Sequence, residues 1–160
     1  MEDENSTISG DLVYALILTP TRELALQIFD ILKIFQEKIG SFGVKCNSGG
    51  KKGEELSCGE GKHIIVATPG RINALLLEDQ KSKSTLYREL KYLVLDEADR
   101  LLDSNFQLEV KDVILKLPKQ RRTGLFSATL TSKKIEELIK VGLRNPAVIK
   151  LSVRIIDLTI

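Results

Sequence analysis

The sequence feature that most constrains the fold is a short apolar run that ends abruptly at carboxylates. The run covers residues 92–95 (Tyr-Leu-Val-Leu), and Asp96, Glu97 and Asp99 follow it. Four apolar residues in a row are typical of a strand buried on both faces, as in a parallel sheet with helices on each side. In such sheets, ligands bind beyond the carboxyl ends of the strands. The sequence therefore predicts that Asp96 and Glu97 lie at a ligand-binding end of the sheet.

Two adjacent carboxylates at that end of a sheet suit a magnesium-bound nucleotide. Asp96 would hold the hydrated metal ion, and Glu97 would orient or deprotonate a water molecule. The alternative is that residues 96–99 form an acidic turn that caps the next helix. These four residues alone leave both interpretations open.

Four other short segments also follow runs that are predicted to be strands. They are residues 20–25 (Pro-Thr-Arg-Glu-Leu-Ala), 49–50 (Gly-Gly), 68–71 (Thr-Pro-Gly-Arg) and 127–129 (Ser-Ala-Thr). Together with Asp-Glu-Ala-Asp at 96–99, and in this order, they resemble the first-domain motifs of the DEAD-box RNA helicases. The resemblance spans residues 12–151. It implies an α/β fold of the RecA-like, P-loop NTPase type, which is a parallel sheet with helices on both faces.

Alternating strand and helix patterns agree with that fold class. Predicted strands cover residues 12–19, 44–48, 64–68, 92–95, 124–127 and 148–151. Predicted helices cover residues 22–39, 71–77, about 100–117 and 133–142, the last of them capped by Thr131 or Ser132. Residues 51–62 read as a loop with room for a short helix around residues 54–56, and residues 78–85 read as a surface connection.

The first predicted helix has the clearest boundaries. Thr21 suits the N-cap position, and Gly40 suits the residue that ends the helix. Apolar residues recur at three- and four-residue steps, which predicts one buried face. That predicted face consists of Leu24, Ile28, Ile31, Phe35 and Ile39.

Residues 19–22 and 68–71 share a design that suits phosphate groups. Each segment follows a predicted buried strand, opens a helix and carries an arginine, and a helix start offers free N–H groups and a partial positive charge. Glycines at 49 and 50 would let a nucleic-acid strand approach the backbone closely. The predicted contacts are to the RNA backbone and largely independent of base sequence. They involve Pro20, Thr21, Arg22, Gly49, Gly50, Thr68, Pro69, Gly70 and Arg71. The alternative is that these residues only punctuate the change from strand to helix.

The resemblance also implies roles for the acidic residues. Asp96 would hold Mg²⁺ through water, and Glu97 would be catalytic in ATP hydrolysis by the longer parent protein. Asp99 would bond to the segment Ser127, Ala128 and Thr129 and couple nucleotide state to RNA binding. The alternative is that Ser127 and Thr129 simply terminate a strand.

A nucleotide-phosphate loop of the form Gly-x-x-x-x-Gly-Lys-Ser/Thr does not occur in the 160 residues. The resemblance places that loop and its strand before Met1, and a second RecA-like domain after the chain. We therefore expect a disordered lead-in at 1–11, a partial domain at 12–151, and a linker or extra strand at 152–160. We also expect no ATP hydrolysis or tight nucleotide binding by this chain alone. A missing strand would expose a sheet edge, through which the chain could self-associate.

Composition excludes several other classes of protein. No apolar run approaches the roughly 20 residues of a membrane helix, and the acidic, polar start is not a signal peptide. Cys46 and Cys58 lack zinc-site spacing and predict free thiols in an intracellular, reducing compartment. His63, the only histidine, is predicted to be structural. The net charge of +2 means that RNA affinity must arise from a local surface.

Two further segments resemble one subgroup of the DEAD-box helicases. Residues 117–129 and 142–146 are similar to helicases of the nucleolar pathway that builds the large ribosomal subunit, which implies a nuclear or nucleolar location. Two other interpretations remain open. The chain could be a natural short RNA-binding module without turnover, or a structural protein in which Asp96 and Glu97 are inert.

Overall fold

A computed structural model describes residues 12–49, 56–60, 63–82, 87–103, 106–129 and 132–151. The strands in these ranges are β1 (Val13–Leu18), β2 (Gly43–Asn47), β3 (Leu56–Cys58), β4 (His63–Ala67), β5 (Tyr92–Leu95) and β6 (Arg122–Leu125). The helices are α1 (Arg22–Ile39), α2 (Pro69–Ser82), α3 (Ala98–Asp103), α4 (Gln107–Lys116) and α5 (Lys133–Gly142).

The six described strands form one sheet in the order β3-β2-β4-β1-β5-β6. Strand β1 lies in the middle and pairs in parallel with β4 and β5, while β2 extends the sheet beside β4 and β6 extends it beside β5. Only β3 is antiparallel, and it pairs with β2 at one edge of the sheet. The predicted parallel sheet with helices on both faces is therefore confirmed.

The larger hydrophobic core lies on the face of the sheet covered by α2, α3, α4 and α5. Leu16 and Leu18 of β1 and Leu93 and Leu95 of β5 point into it and are completely buried. A smaller core lies on the opposite face, under α1. Because both faces of the central strands are covered in this way, their sequences are almost continuously apolar.

Helix α1 begins and ends where the sequence predicts, but its predicted buried face is wrong. Ala25 and Phe29 face the sheet and are buried. Ile31, Phe35 and Ile39, which the periodicity places in the core, are 53–60% exposed. The helix carries more apolar residues than one face can bury, so the three- and four-residue steps fit two faces equally well, and only the contact with β2 and β4 selects between them.

Three other elements differ from the sequence prediction. Residues 56–58 form strand β3 and not a short helix, because they pair with β2. Helix α2 continues to Ser82, through the polar stretch that was predicted to be a connection. The single helix predicted before Pro118 is two helices, α3 and α4, and residues 103–105 (Asp-Ser-Asn) between their apolar faces are types that favour turns.

The last predicted strand is also wrong. Residues 147–151 have no strand assignment, and Val148, Ile149 and Leu151 are 61%, 81% and 91% exposed. Their β-branched sequence favours a strand, but a strand needs a hydrogen-bonded neighbour, and a groove separates these residues from β6, the last strand of the described sheet on that side.

His63 has a packing role in the fold. It is 4% exposed at the start of β4, and a Cβ atom on Gly43 of the neighbouring strand would overlap its ring. Within the described ranges, no helix has both the length and the hydropathy needed to cross a membrane. The predicted lead-in at 1–11 and the segment 152–160 lie outside the described residues.

Candidate functional site

All five sequence segments converge on one side of the sheet. Because β1, β2, β4, β5 and β6 are parallel, their carboxyl ends meet at one rim, which we call the carboxyl rim. Residues 19–22 follow β1, residues 48–49 follow β2, and residues 68–71 follow β4. Residues 96–99 follow β5, and residues 127–129 lie just beyond β6. Gly50, also predicted to contact RNA, lies outside the described residues.

The strand order separates these segments by chemistry. Along the carboxyl rim, the glycine and the two arginine-bearing segments lie over β2, β4 and β1, and the acidic and hydroxyl segments lie over β5 and β6. Neighbouring strands are about 4.8 Å apart, so each group covers only about 5–10 Å of the rim. An arginine-bearing half, which also contains the two helix starts, and an acidic half therefore adjoin between β1 and β5.

Hydrogen bonds continue the sheet beyond its strand ends and fix these segments to each other. Thr19 N donates to the carbonyl of Ala67 at 3.0 Å, and Asp96 N donates to the carbonyl of Leu18 at 2.9 Å. On the β6 side, Ala98 N donates to the carbonyl of Phe126 at 2.9 Å. The segments after β1, β4, β5 and β6 are thus held in register with each other and do not move as independent loops.

The segment after β1 begins α1 in the way its sequence predicts. The Thr21 hydroxyl accepts a hydrogen bond from Leu24 N at 3.2 Å and so caps the helix. The buried Thr19 hydroxyl donates to the carbonyl of Thr21 at 3.0 Å and fixes the turn. Arg22, the first residue of the helix, is exposed beside these capped turns. A cationic side chain and a helix N-terminus therefore face the same solvent region.

The segments after β2 and β4 form the other part of this half. The Thr68 hydroxyl donates to the carbonyl of Ser48 at 3.4 Å, which joins the two segments. Pro69 starts α2, and Gly70 is exposed at its second position. A Cβ atom added at Gly49 or at Gly70 would meet nothing within 4 Å, so the space above both glycines is open.

Asp96 and Glu97 lie at the end of β5, as the sequence predicts, and are partly buried. One carboxylate oxygen of Asp96 accepts a hydrogen bond from Glu97 N at 3.0 Å. Glu97 has a φ angle of 47°, a left-handed conformation that is costly for a residue with a side chain and that is concentrated at functional sites.

Arg100 is a site residue that the sequence analysis missed. Its guanidinium donates to the Glu97 carboxylate at 2.7 Å, and the two side chains are 61% and 38% exposed. The pair is three residues apart, a spacing at which opposite charges meet on a helix, and this spacing was the available signal. In the observed geometry, Glu97 is held by Arg100 at the edge of the acidic half.

The structure brings Asp99 to the segment beyond β6, but through one hydroxyl only. Thr129 Oγ1 donates to the Asp99 carboxylate at 3.1 Å. Ser127, implied as a second partner, instead bonds within its own segment: its hydroxyl donates to the carbonyl of Thr129 at 2.7 Å. Ala128 is exposed between them. Ser127 thus orients Thr129, and Thr129 contacts Asp99.

The carboxylates at the carboxyl rim could bind Mg²⁺ only as an ion that keeps waters and substrate phosphates in its coordination shell. No cluster of three or more His, Cys, Asp or Glu residues suited to a metal ion occurs in the described ranges. Mg²⁺ keeps several of its waters and typically binds proteins through one or two carboxylates together with substrate phosphates. Asp96, a partly buried carboxylate directly after β5, fits that arrangement.

Comparison with known proteins identifies the family. The DEAD/DEAH box helicase family matches residues 6–138, which is most of the chain. The chain belongs to the DEAD/DEAH box helicase family. All five segments, from residues 19–22 to residues 127–129, lie within this match.

Individual DEAD-box relatives align over most of the chain. It is 44% identical to "ATP-dependent RNA helicase DDX55" of Bos taurus over 89% of its own length and 24% of the relative. It is 44% identical to "ATP-dependent RNA helicase DDX18" of Homo sapiens over 81% of its own length and 19% of the relative. The chain therefore spans about a quarter or less of the length of these relatives.

A solved structure shows the same fold. The crystal structure of a DEAD box protein from the hyperthermophile Methanococcus jannaschii matches with a TM-score of 0.66 and 31% identity. The match covers 86% of this chain and 37% of the archaeal chain. The RecA-like fold predicted from the DEAD-box motifs is thereby confirmed.

Proposed function

We propose that this chain is part of the first RecA-like domain of an ATP-dependent RNA helicase, which couples ATP binding and hydrolysis to RNA remodelling. The observation that carries the proposal is the order of segments along the carboxyl rim. A half suited to phosphates adjoins an acidic half suited to a magnesium-bound nucleotide, and one hydrogen-bonded rim holds both. Family membership and the names of the relatives support the same activity.

The RNA contacts would be made over β2, β4 and β1. Arg22 and Arg71 would pair with phosphates, and the open space above Gly49 and Gly70 would admit the sugar-phosphate backbone. Thr21 and Thr68 would keep the helix starts in place, and Pro69 would preset the first turn of α2. None of these groups is placed to read base edges, so binding would be largely independent of sequence.

The nucleotide would be handled over β5. Mg²⁺, when bound with ATP, bridges phosphate oxygens and neutralises the charge that develops on them. Asp96 would hold the metal's water shell through its carboxylate. Glu97 would orient or deprotonate the attacking water, which requires its carboxylate to exchange Arg100 for that water.

Coupling of nucleotide state to RNA binding would begin at Asp99 and Thr129, which both lie in the acidic half. Their 3.1 Å hydrogen bond links the helix that follows the acidic residues to the segment beyond β6. A shift of either segment with nucleotide state would break or remake this bond. The second RecA-like domain of the parent protein would complete both the ATP site and the RNA site.

The chain by itself would contact RNA without turning over ATP. Its 160 residues contain no Gly-x-x-x-x-Gly-Lys-Ser/Thr loop, and that loop supplies most of the grip on the β- and γ-phosphates in P-loop enzymes. Asp96 and Glu97 alone would hold Mg²⁺-ATP only weakly. The natural short RNA-binding module is thus the second candidate function, and it rests on the same RNA-binding half.

Filter binding to single-stranded RNA across a salt series tests the RNA contacts. A few phosphate contacts predict a log–log slope of roughly −2 to −3, since each contributes about −0.7. Arg22→Ala and Arg71→Ala should each reduce the magnitude of this log–log slope by about 0.7. Arg88→Ala is the matched control, because Arg88 is exposed before β5 and so lies at the opposite rim. A flat salt dependence, or an equal loss in all three variants, would remove the RNA-binding half from the proposal.

Gly70→Ala gives a second test that separates binding from folding. The added methyl group meets no protein atom within 4 Å, and alanine favours a helix more than glycine does. We therefore expect unchanged or slightly higher stability together with weaker RNA binding. Unchanged RNA affinity would show that the RNA backbone does not approach Gly70 closely.

An ATPase assay with and without RNA tests the nucleotide half. We expect no turnover by the chain as given. When the chain is joined to a separate P-loop segment and second domain, we expect RNA-stimulated turnover that Glu97→Gln abolishes. Turnover by the chain alone that disappears in Glu97→Gln would contradict its predicted inactivity.

The cellular role is proposed from residues 117–129 and 142–146, which are similar to helicases that build the large ribosomal subunit. We propose a nuclear or nucleolar location and a ribosomal RNA precursor as the substrate. Localisation of the tagged parent protein, with sequencing of crosslinked RNA, tests this. Crosslinks confined to messenger RNA would contradict it.

A further inference from the structure

A surface cavity lies at the amino end of β6, where helices α4 and α5 both end. Its volume is about 310 Å³. The two helices approach closely there, since a Cβ atom added at Gly142 of α5 would lie 3.5 Å from the Ile114 side chain of α4. Arg121, which directly precedes β6, also lines the cavity. The cavity is therefore separate from the segments assigned to RNA and nucleotide, which follow the carboxyl ends of the strands.

The lining of this cavity carries three cationic side chains and no acidic one. The cations are Lys119, Arg121 and Arg144. In the part of the chain that the structure describes, neither Lys119 nor Arg144 forms an ion pair. Asp112 and Glu137, the acidic residues closest in sequence to the lining of each helix, do not line the cavity, and Glu137 is paired elsewhere. The positive charge of the cavity is thus not balanced by a carboxylate in its own walls.

The state of Arg121 indicates that a negative group would be stabilised here. Burial lowers the pKa of Arg121, and the charge of the nearby Arg144 lowers it further, so the two guanidinium groups repel each other. The Nη atoms of Arg121 donate to three carbonyls, but its buried Nε atom has no hydrogen-bond partner among the described residues. A buried donor without a partner is costly. An anion in the cavity would reduce the repulsion, and its oxygen atoms would offer Nε an acceptor.

The remaining walls of the cavity are apolar. They are formed by Ile114, Leu115 and Val141. Ile114 is buried, whereas Leu115 and Val141 are 69% and 48% exposed. An inorganic anion would leave these two side chains in water, although burial of apolar surface is favourable. A ligand that fits the whole lining therefore carries an apolar group beside its negative charge.

This lining favours a peptide over a nucleic acid. Single-stranded nucleic acids bind surfaces that combine cations with aromatic rings on which the bases stack, and no aromatic residue of the described chain lines this cavity. The volume is near the lower limit of about 300 Å³ for ligand pockets, which suits one anchoring side chain. Carboxylates beside that anchor would pair with Lys119 and with the planar guanidinium of Arg144, both of which are exposed.

We propose that this cavity binds a short acidic segment of a partner protein. The segment places an aliphatic side chain against Leu115 and Val141, and carboxylates of Asp or Glu beside it pair with Lys119 and Arg144. Affinity therefore requires charge and apolar contact together. The proposal does not depend on RNA or nucleotide binding at the carboxyl rim.

Fluorescence anisotropy of the full chain with a labelled synthetic peptide, in which Leu residues alternate with Asp and Glu, tests the charged part. We expect Arg144→Glu to weaken binding at least about tenfold, because it replaces an attractive charge with a repulsive one. Lys133→Glu makes the same change of charge at the other end of α5 and should alter affinity less than about twofold. The ten residues of α5 separate it from the cavity by about 15 Å, which exceeds the screening length of about 8 Å at physiological salt.

A second pair of variants tests the apolar part. Leu115→Ser should weaken peptide binding at least about fivefold, because it removes a wall of the cavity. Leu108→Ser is the matched control, since Leu108 lies two turns earlier on α4, is 74% exposed and does not line the cavity. It should leave the affinity unchanged. A peptide of the same charge with Ser in place of Leu should bind the unmodified chain at least about tenfold more weakly.

Several results would overturn the proposal. Absence of binding at peptide concentrations up to about 1 mM would do so. Equal losses in Arg144→Glu and Lys133→Glu would indicate non-specific attraction, and equal affinities for the Leu and Ser peptides would leave a site for simple anions only.

Two other occupants of the cavity would be recognised in the same assay, and either would overturn the proposal. Single-stranded RNA that displaces the peptide, with an affinity reduced by Arg144→Glu and not by Arg22→Ala, would assign the cavity to nucleic acid. Peptide affinity that falls as protein concentration and dimer content rise together would assign it to a second copy of the chain.

Discussion

Glu97 has a backbone conformation that costs stability and that a catalytic position would explain. Its φ angle is 47°, and the left-handed region costs an L-residue roughly 1–2 kcal/mol. The conformation follows directly from the end of β5, where Asp96 N and Ala98 N are both committed to hydrogen bonds with neighbouring strand ends. The chain must turn sharply between these two hydrogen bonds, and Glu97 adopts the strained left-handed conformation that the turn requires.

Glu97→Gly should therefore stabilise the protein. We expect the free energy of unfolding to rise by about 0.5–1 kcal/mol, the relieved strain less the added flexibility of glycine in the unfolded chain. The lost ion pair with Arg100 is exposed and contributes little. Urea denaturation measures the change. Asn145→Gly, at a φ angle of 44°, is the matched control and should gain less, because asparagine tolerates this region. A less stable Glu97→Gly variant would contradict this account.

The two cysteines should differ in reactivity. Burial raises the pKa of the Cys46 thiol, an interaction with Ser48 lowers it, and the nearby Asp30 carboxylate raises it again; the net shift is upward. Cys58 is only partly buried. We expect N-ethylmaleimide to modify Cys58 first in the folded protein and Cys46 mainly after unfolding, as measured by mass spectrometry. Equal rates at the two thiols would contradict the buried position of Cys46.

The same shift has a consequence for stability at alkaline pH. A folded-state pKa above the unfolded value, about 8.5, means that the folded state favours the neutral thiol. This contribution is complete below the unfolded pKa and is lost as the pH rises through the folded pKa. Cys46→Ala should therefore lose less stability than the unmodified protein between neutral pH and pH values above 9.

At the scale of elements, Arg121 determines how α4 ends. Its guanidinium donates to the carbonyls of Pro118 at 2.6 Å, Ile114 at 3.3 Å and Leu117 at 3.4 Å. Burial lowers the pKa of Arg121, and the nearby Arg144 lowers it further, but arginine remains charged at neutral pH. One planar side chain thus satisfies three carbonyls at the end of a helix, where a positive charge is also favourable.

Arg121→Lys should destabilise the fold even though it keeps the charge. A lysine cannot reproduce the fork of bonds, so carbonyls at the end of α4 lose partners in a partly buried place. We expect a loss of about 1–3 kcal/mol in the free energy of unfolding. Lys119→Ala, an exposed neighbour, should change it by less than about 0.5 kcal/mol. Thermal and urea unfolding measure both variants, and similar values for the two would contradict the capping role.

The sequence predicts some elements well and others poorly for a common reason. Central strands such as β1 and β5 are buried on both faces, so their own residues carry the signal. Strand β3 has three residues and exists because β2 offers it a partner, while residues 147–151 have strand-like composition and lack one. The face of α1 depends likewise on which strands lie beneath it. Tertiary contacts decide these cases, and the local sequence does not contain them.

The candidate site follows the same division. Asp96, Glu97 and the two arginine-bearing segments could be placed at one rim because parallel strands end together. The pairing of Glu97 with Arg100, and the single bond from Thr129 to Asp99, depend on side-chain rotamers that no spacing determines. Ser127 is an example. The resemblance implied a bond to Asp99, but its hydroxyl donates to the carbonyl of Thr129 within its own segment.

At the scale of the whole molecule, α1 presents an apolar surface to solvent. Ile31, Ile34, Phe35 and Ile39 are each 53–60% exposed along one side of the helix. Clustered apolar residues of this kind indicate contact with another surface. We therefore expect this side of α1 to contribute to self-association.

Phe35→Lys should reduce self-association without affecting the fold. Because Phe35 is half exposed, we expect the free energy of unfolding to change by less than about 0.5 kcal/mol. Phe29→Ala, one turn and a half away on the buried side, should cost about 3–5 kcal/mol. Light scattering across protein concentrations and urea denaturation measure the two quantities. Unchanged association in Phe35→Lys would assign it to another surface.

The strand order also determines when the strands can pair while the protein is being synthesised. Strand β1 is the middle of the sheet, yet its partners β4 and β5 begin only at His63 and Tyr92. A ribosome adding about 5–20 residues per second would need roughly 4–15 s to go from the end of β1 to the end of β5. For roughly the first 2–10 s of that interval, until β4 is complete, β1 has no neighbouring strand. Because β1 is synthesised early and pairs late, we expect the nascent chain to need chaperones that shield exposed apolar segments.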